Sequence, residues 1–217
     1  MLHVRQVSYH PPSSDRALLR EVSLSLSTHE IGVIVGRSGA GKSTLLELIA
    51  GLARPTSGAI LWQDQVLTPA QLRRLAGLVF QFPERHFCTN SIQEELRFGH
   101  PQVTYQQMET VLAQVGLAGI PLTDSPFQLS GGQQRRLSLA VQLIRNPFLL
   151  LLDEPTAGLD WSVRQQILQL LGSLKSDWTM LIVTHDPKEL AGLASRQWRL
   201  QQGALEELTE PGVEDLS

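Results

Sequence analysis

Short apolar runs alternate with amphipathic stretches along most of this chain. Ile31–Val35, Leu78–Phe80, Phe148–Leu152 and Met180–Val183 are almost continuously apolar and are each followed by polar residues or glycine. That pattern predicts parallel strands buried on both faces. Val4–Tyr9 and Val22–Leu26 instead alternate apolar with polar residues across a turn rich in Pro and Ser, which predicts an antiparallel pair. Ala59–Leu67 predicts a second hairpin. Phe82 to Asn146 carries no buried-strand run. Its helical patterns fall at Ser91–Phe98, Tyr105–Val115 and Ser130–Arg145, the last with Leu137, Ala140, Val141 and Ile144 at i, i+3, i+4 and i+7. The expected fold is α/β: a mostly parallel core sheet, an antiparallel β subdomain and an inserted helical subdomain. The expected division is a catalytic core of residues 1–81 and 147–217, with residues 82–146 inserted as the helical part.

Composition narrows the classes of function. At 217 residues the chain supports one substantial core. Eighteen basic residues against twenty-one acidic ones leave a net charge of −3, so nucleic acid is not an expected partner. No apolar run approaches the roughly 18 residues of a membrane-spanning helix, and the N-terminus has no signal-peptide pattern. The single cysteine, Cys88, cannot form an intramolecular disulfide, and the expected setting is a reducing compartment. Its expected environment is semi-buried packing near Gln81. Any membrane role requires another chain to supply the span.

The clearest chemistry is Gly36-Arg37-Ser38-Gly39-Ala40-Gly41-Lys42-Ser43-Thr44, which fits G-x-x-x-x-G-K-S/T directly after the strand Ile31–Val35. Glycines let the backbone curl so that its N–H groups converge on phosphate oxygens, while Lys42 adds a cation and the Ser43 hydroxyl can ligate Mg²⁺. A helix from about Lys42 points its positive dipole end at the same anion. A glycine turn matches such a pattern by chance now and then, but the strand before it and the helix after it favour phosphate. Phe148–Leu152 leads into Asp153 and Glu154, a pair able to serve Mg²⁺ and an attacking water. Taken alone it fits a helix cap equally well. His185 closes the strand Met180–Thr184 and could hydrogen-bond a γ-phosphate, although a histidine there is more often structural.

Leu129-Ser130-Gly131-Gly132-Gln133, at the start of a predicted helix upstream of Asp153, resembles the signature motif of ABC-type ATPases. Ser130 can cap the helix while the glycine backbone approaches an anion. The resemblance runs in order from Val4 to about Glu206. It implies that Tyr9 stacks on adenine, Gln81 is the Q-loop glutamine that meets Mg²⁺ with Ser43, and Asp153 holds the metal through water. It further implies Glu154 as the base, His185 as the switch histidine, and Asp160 as the acid of the D-loop Ala157-Gly158-Leu159-Asp160.

A finer likeness, Phe80-Gln81-Phe82-Pro83-Glu84-Arg85-His86-Phe87 through Phe98-Gly99, resembles energy-coupling-factor importer ATPases, which take up vitamins and transition-metal ions. Asp153–Asp160, the Arg135-Arg136 pair and Val141 point the same way. Phe82, His86, Gln133 and His29 depart from the common residues of that group. The resemblance implies ATP and Mg²⁺ as cofactors, a second identical or paralogous ATPase, and integral membrane partners that hold the chain peripherally at the cytoplasmic face. Ser130, Gly131, Gly132 and Gln133 would serve the nucleotide bound to the second ATPase. Glu84, Glu94 and Glu95 are candidates for docking a basic helix of the membrane partner. A soluble ABC machine acting on DNA, ribosomes or cluster assembly is the alternative; the long coiled coils and paired cassettes of such proteins are missing from this sequence.

Overall fold

The computed structural model describes residues 1–12, 14 and 16–208, without the side chains of Glu84 and Pro187. The chain opens with β1 (Leu2–Tyr9), β2 (Leu19–Leu26), β3 (Ile31–Val35) and helix α1 (Lys42–Ile49). Next come β4 (Ser57–Trp62), β5 (Gln65–Val66), α2 (Pro69–Leu75) and β6 (Ala76–Val79). Three helices follow: α3 (Ile92–Arg97), α4 (Tyr105–Gln114) and α5 (Gly131–Leu143), with short 3₁₀ turns at Pro83–Arg85 and Pro126–Gln128. The chain then returns to alternation through β7 (Leu149–Asp153), α6 (Trp161–Leu174), β8 (Thr179–Thr184), α7 (Pro187–Leu190), β9 (Arg196–Gln201) and β10 (Ala204–Leu208).

Two sheets result. The order β2-β1-β4-β5 is antiparallel throughout, and the order β10-β9-β3-β8-β7-β6 is parallel except for β10 at its edge. Side chains in a strand alternate between faces, so a strand covered on both sides must be apolar at every position. Leu149 and Leu151 enter the cluster shared with Leu45, Leu46, Leu48 and Ile49 of α1 and with Leu2, Val4 and Leu26 of the antiparallel sheet. Leu150 and Leu152 point the opposite way, into the cluster containing Leu96, Met108, Leu137 and Ile167 from the helices. The parallel sheet is thus the wall between two cores.

Between Val79 and Leu149 the described chain contains no strand. Its helices start at hydroxyl caps: Ser91, Thr104 and Ser130 each accept the N–H three residues on. Thr104 with Gln107 and Ser130 with Gln133 close reciprocal capping boxes, satisfying two otherwise orphaned donors at each helix start.

Several boundaries differ from expectation. The chain passes directly from α2 into β6, so this strand starts at Ala76 and stops before Phe80. Phe148 lies outside β7 and is 67% exposed, its ring 6.3 Å from that of Trp62. Cys88 is exposed rather than semi-buried. On α5 the buried stripe runs through Leu137, Leu139, Ala140 and Leu143, whereas Val141 and Ile144 are only partly buried. His29 has φ 60°, a left-handed conformation that glycine adopts without strain.

Leu150→Ala should lower unfolding stability by about 2–5 kcal/mol, because it empties space between sheet and helices. Phe148→Ala should cost less than about 1 kcal/mol, as expected of a mostly exposed ring. Chemical denaturation of both variants checks this, and equal losses at the two sites would contradict the placement of Phe148.

Candidate functional site

The register of the parallel strands assembles the site. Val35 of β3 pairs with Thr184 of β8, Val183 of β8 with Asp153 of β7, and Leu152 of β7 with Val79 of β6. These strands therefore end at one edge of the sheet, and Gly36, His185, Glu154 and the Phe80-Gln81 segment leave from it together. The carboxyl edge of an open parallel sheet is where α/β proteins hold ligands.

From β3 the chain turns through Gly36–Gly41 into α1. The Gly36 N–H donates to the Thr184 carbonyl at 3.3 Å, and Ala40 N–H donates to the Arg37 carbonyl at 3.1 Å. Gly41, at φ 101°, occupies a conformation closed to most side chains. A Cβ at Gly36 would lie 2.5 Å from the Leu200 carbonyl oxygen, so only glycine fits between the loop and β9. Lys42, the first residue of α1, is buried. Its ammonium donates to the carbonyls of Gly36 (2.7 Å) and Arg37 (3.3 Å) and stands 3.4 Å from Oε1 of Glu154.

Asp153 and Glu154 are 7% and 8% exposed, unusual burial for carboxylates. Burial pushes the Asp153 carboxyl up from its ordinary value; a hydrogen bond from Ser43 opposes this, Glu154 adds to it and Lys42 opposes it. Oδ1 of Asp153 is buried without a hydrogen-bond partner. Glu154 has φ 48°, a left-handed conformation costing a non-glycine residue about 1–2 kcal/mol. That turn aims its carboxylate back across the strand edge. One oxygen meets Lys42 and the other the Nδ1 of His185, whose side chain is largely exposed. A buried carboxylate held between a cation and an imidazole beside a glycine-rich loop can orient a water and accept its proton.

The structure thus brings Lys42, Ser43, Asp153, Glu154 and His185 together. Gln81 follows β6 at the same edge, and its carbonyl accepts an N–H from Arg135. Tyr9 ends β1 with its ring half-buried against the core, and its carbonyl accepts from Leu18 N–H at 2.9 Å. A cavity of about 800 Å³ lies beside the phosphate loop, bounded by Gly36–Ala40, the β9–β10 turn and residues including Ala17 and Leu18; Tyr9 is not among its lining residues.

Ser130 and Asp160 both occupy helix N-caps. The Ser130 hydroxyl oxygen accepts the Gln133 N–H at 3.4 Å while Gln133 Oε1 accepts the Ser130 N–H at 2.9 Å. The Ser130 O–H proton is left to donate elsewhere. Asp160 accepts from Val163 N–H and from the Ser162 hydroxyl, and these bonds hold its carboxyl below the usual range. Among the described residues no hydrogen bond joins 129–133 to 36–44.

Several contacts escaped the sequence reading. A Cβ on Gly132 would lie 2.6 Å from Cγ1 of Val163, so the signature glycine seats directly on α6. Thr156 donates to Glu189 (2.7 Å), which also meets Arg164 (3.1 Å), tying the segment after Glu154 to α6 and α7. Glu95, expected as a docking charge, is buried and accepts from the N–H groups of Cys88 and Thr89 and from the Thr89 hydroxyl. It organises the loop before α3, while Glu94 remains exposed; the side chain of Glu84 is outside the described atoms.

A family model described as ABC transporter matches residues 19–157. The chain belongs to the ABC transporter family. It is accordingly an ATPase that binds ATP and ADP and serves as the cassette subunit of a transporter. A second model, described as an AAA domain, matches residues 124–191. "ABC transporter I family member 11, chloroplastic" of Arabidopsis thaliana is 42% identical, covering 94% of this chain and 79% of that protein. "Energy-coupling factor transporter ATP-binding protein EcfA2" of Symbiobacterium thermophilum is 38% identical over 89% of this chain and 71% of its own. Among solved structures, cbiO1 of Clostridium perfringens, part of the ABC transporter complex cbiONQ, superposes with a TM-score of 0.85. It is 27% identical, with 94% of this chain and 86% of that one covered. The ATP-binding cassette MJ0796, a dimer in a post-hydrolysis state with ADP and Pi, gives 0.83 at 28% identity, covering 98% of this chain and 100% of its own. ABC cassettes therefore account for the fold read from the sequence, with its mixed sheets and helical insertion.

Gly132→Ala should slow ATP hydrolysis, because the new methyl group displaces the signature from α6. Val163→Ala in the same chain should restore a substantial part of the rate by making room. Steady-state ATPase assays on the two single variants and the double variant check the coupling. Purely additive losses would mean that Gly132 is needed for some reason other than this contact.

Proposed function

We propose that this cassette drives an importer of the energy-coupling-factor type, which carries a vitamin or a metal ion. The EcfA2 and cbiONQ names of similar proteins support this, as does the unbroken likeness over Phe80–Phe87 and Phe98-Gly99. The catalytic part rests on one observation: Glu154 is held between Lys42 and His185 at the phosphate loop.

Two cassettes, identical or paralogous, meet head to tail. Each ATP lies between Gly36–Thr44 of one and Ser130–Gln133 of the other, with adenine against Tyr9 and Asp160 facing the second cassette. Lys42 and the loop amides hold the phosphates, Glu154 polarises the attacking water and His185 braces the γ-phosphate. Mg²⁺ suits the remaining donors: the buried Oδ1 of Asp153 has no protein partner, and the Ser43 hydroxyl bonds the same carboxylate. Ser43, Gln81 and, through water, Asp153 would hold the ion, whose charge offsets that building on the β- and γ-phosphates.

The described residues of 1–81 and 147–217 form the catalytic core, and 82–146 the arm that meets the membrane subunits; residues 13, 15 and 209–217 of that division lie outside the described residues. Phe82, Phe98 and Phe127 are exposed on this arm, and Glu94 adds charge suited to a basic helix. No helix among the described residues is long and apolar enough to cross a membrane. The cassette sits peripherally at the cytoplasmic face through its partners.

Glu154→Gln should be mostly monomeric without nucleotide and dimerise with ATP and Mg²⁺, as followed by light scattering. A tight dimer regardless of nucleotide would contradict the sandwich. Tagged purification from detergent-solubilised membranes should bring integral membrane proteins with the chain. Recovery without any of them, but with DNA or ribosomes, would support a soluble ABC machine instead.

A further inference from the structure

Arg135 is charged, yet it lies on α5 beside the fully buried Leu137 and is itself only 5% exposed. Burying a guanidinium is costly unless its N–H groups are engaged. Through Nη1 it donates to the carbonyl of Gln81, in the loop leaving β6; through Nη2 it donates to the carbonyl of Ala157 at 3.0 Å. Ala157 is itself tied back, its N–H donating to the Glu154 carbonyl at 3.1 Å. One planar group on the signature helix therefore joins the loop that carries Gln81 to the segment between Glu154 and Asp160.

Neither carbonyl belongs to α5, so these bonds are not needed to form that helix. Both belong to short segments leaving the strand edge where phosphate is handled. A rigid fork fixes two acceptors relative to each other, which a flexible ammonium on a four-carbon stem does not. We infer that Arg135 is a positioning residue that links the Gln81 loop, the signature helix and the Glu154–Asp160 segment, so that movement of one is imposed on the others. The inference rests on the roles proposed above for Gln81 and Asp160. It adds an internal connection through which nucleotide contact at Gln81 reaches the surface offered to the second cassette. The ordinary alternative is a guanidinium that merely fills space between α5 and the loops.

Hydrogen exchange of the full chain, with and without Mg-ATP, separates the two. In the unaltered chain Mg-ATP should slow exchange in residues 79–87 and in 155–160 together. Arg135→Lys keeps the charge and can serve one carbonyl but not both in fixed geometry. It should retain the response of 79–87 and lose that of 155–160 by about tenfold, the scale of one charge-assisted hydrogen bond, with ATP affinity unchanged. Arg135→Met, which keeps the aliphatic bulk, should show the same uncoupling. Responses like the parent's in both variants would overturn the proposal. So would faster exchange in both segments of Arg135→Lys before ATP is added, since Arg135 would then be structural only. No response at 79–87 in the unaltered chain would instead overturn the placement of Gln81 at the nucleotide, and the linkage with it.

Discussion

The in-register alignment of β3, β8, β7 and β6 is the constraint on which the rest of the molecule depends. Parallel pairing brings Val35, Thr184, Asp153 and Val79 to one edge of the sheet, and the chain leaves that edge carrying Gly36, His185, Glu154 and Gln81. A slip of one residue in any pair would exchange the side chains that face the two cores and move a functional residue off the edge. The two hydrophobic clusters on either face therefore do more than stabilise the sheet. They hold the frame, and its register assembles the site.

Electrostatics within this frame follows from burial. Lys42, Asp153 and Glu154 are removed from water, so each depends on its neighbours for compensation. Lys42 uses two loop carbonyls and Glu154; Glu154 uses Lys42 and His185; Asp153 uses Ser43 and keeps one oxygen without a protein partner. The strained backbone at Glu154 belongs to the same arrangement, because the left-handed turn points the carboxylate at Lys42 rather than along the strand. These groups are preorganised by fold, not by exposed loops alone.

Local chemistry made much of this legible in the sequence. The glycine loop, the Asp153-Glu154 pair after an apolar run, and the Ser130 cap each carry their meaning within a few residues. Runs apolar at every position identified strands covered on both sides, since no other element needs that pattern over so short a length. What stayed hidden depends on contacts between distant segments. The joint hold of Arg135 on Gln81 and Ala157, the seat of Gly132 on Val163, and the inward turn of Glu95 toward Cys88 and Thr89 have no one-dimensional signature. Phe148 was misplaced because an apolar residue beside an apolar run reads as its continuation, although the strand begins one residue later.

The central claim is that the edge shared by β3, β8 and β7 hydrolyses ATP with Glu154 acting on water and Lys42 holding phosphate. Single-turnover hydrolysis, measured beside nucleotide affinity, tests it most directly. The account predicts that Glu154→Gln binds ATP like the parent but hydrolyses it about 10²–10⁴-fold more slowly, whereas Lys42→Ala loses affinity and rate together. Normal turnover by Glu154→Gln would contradict it.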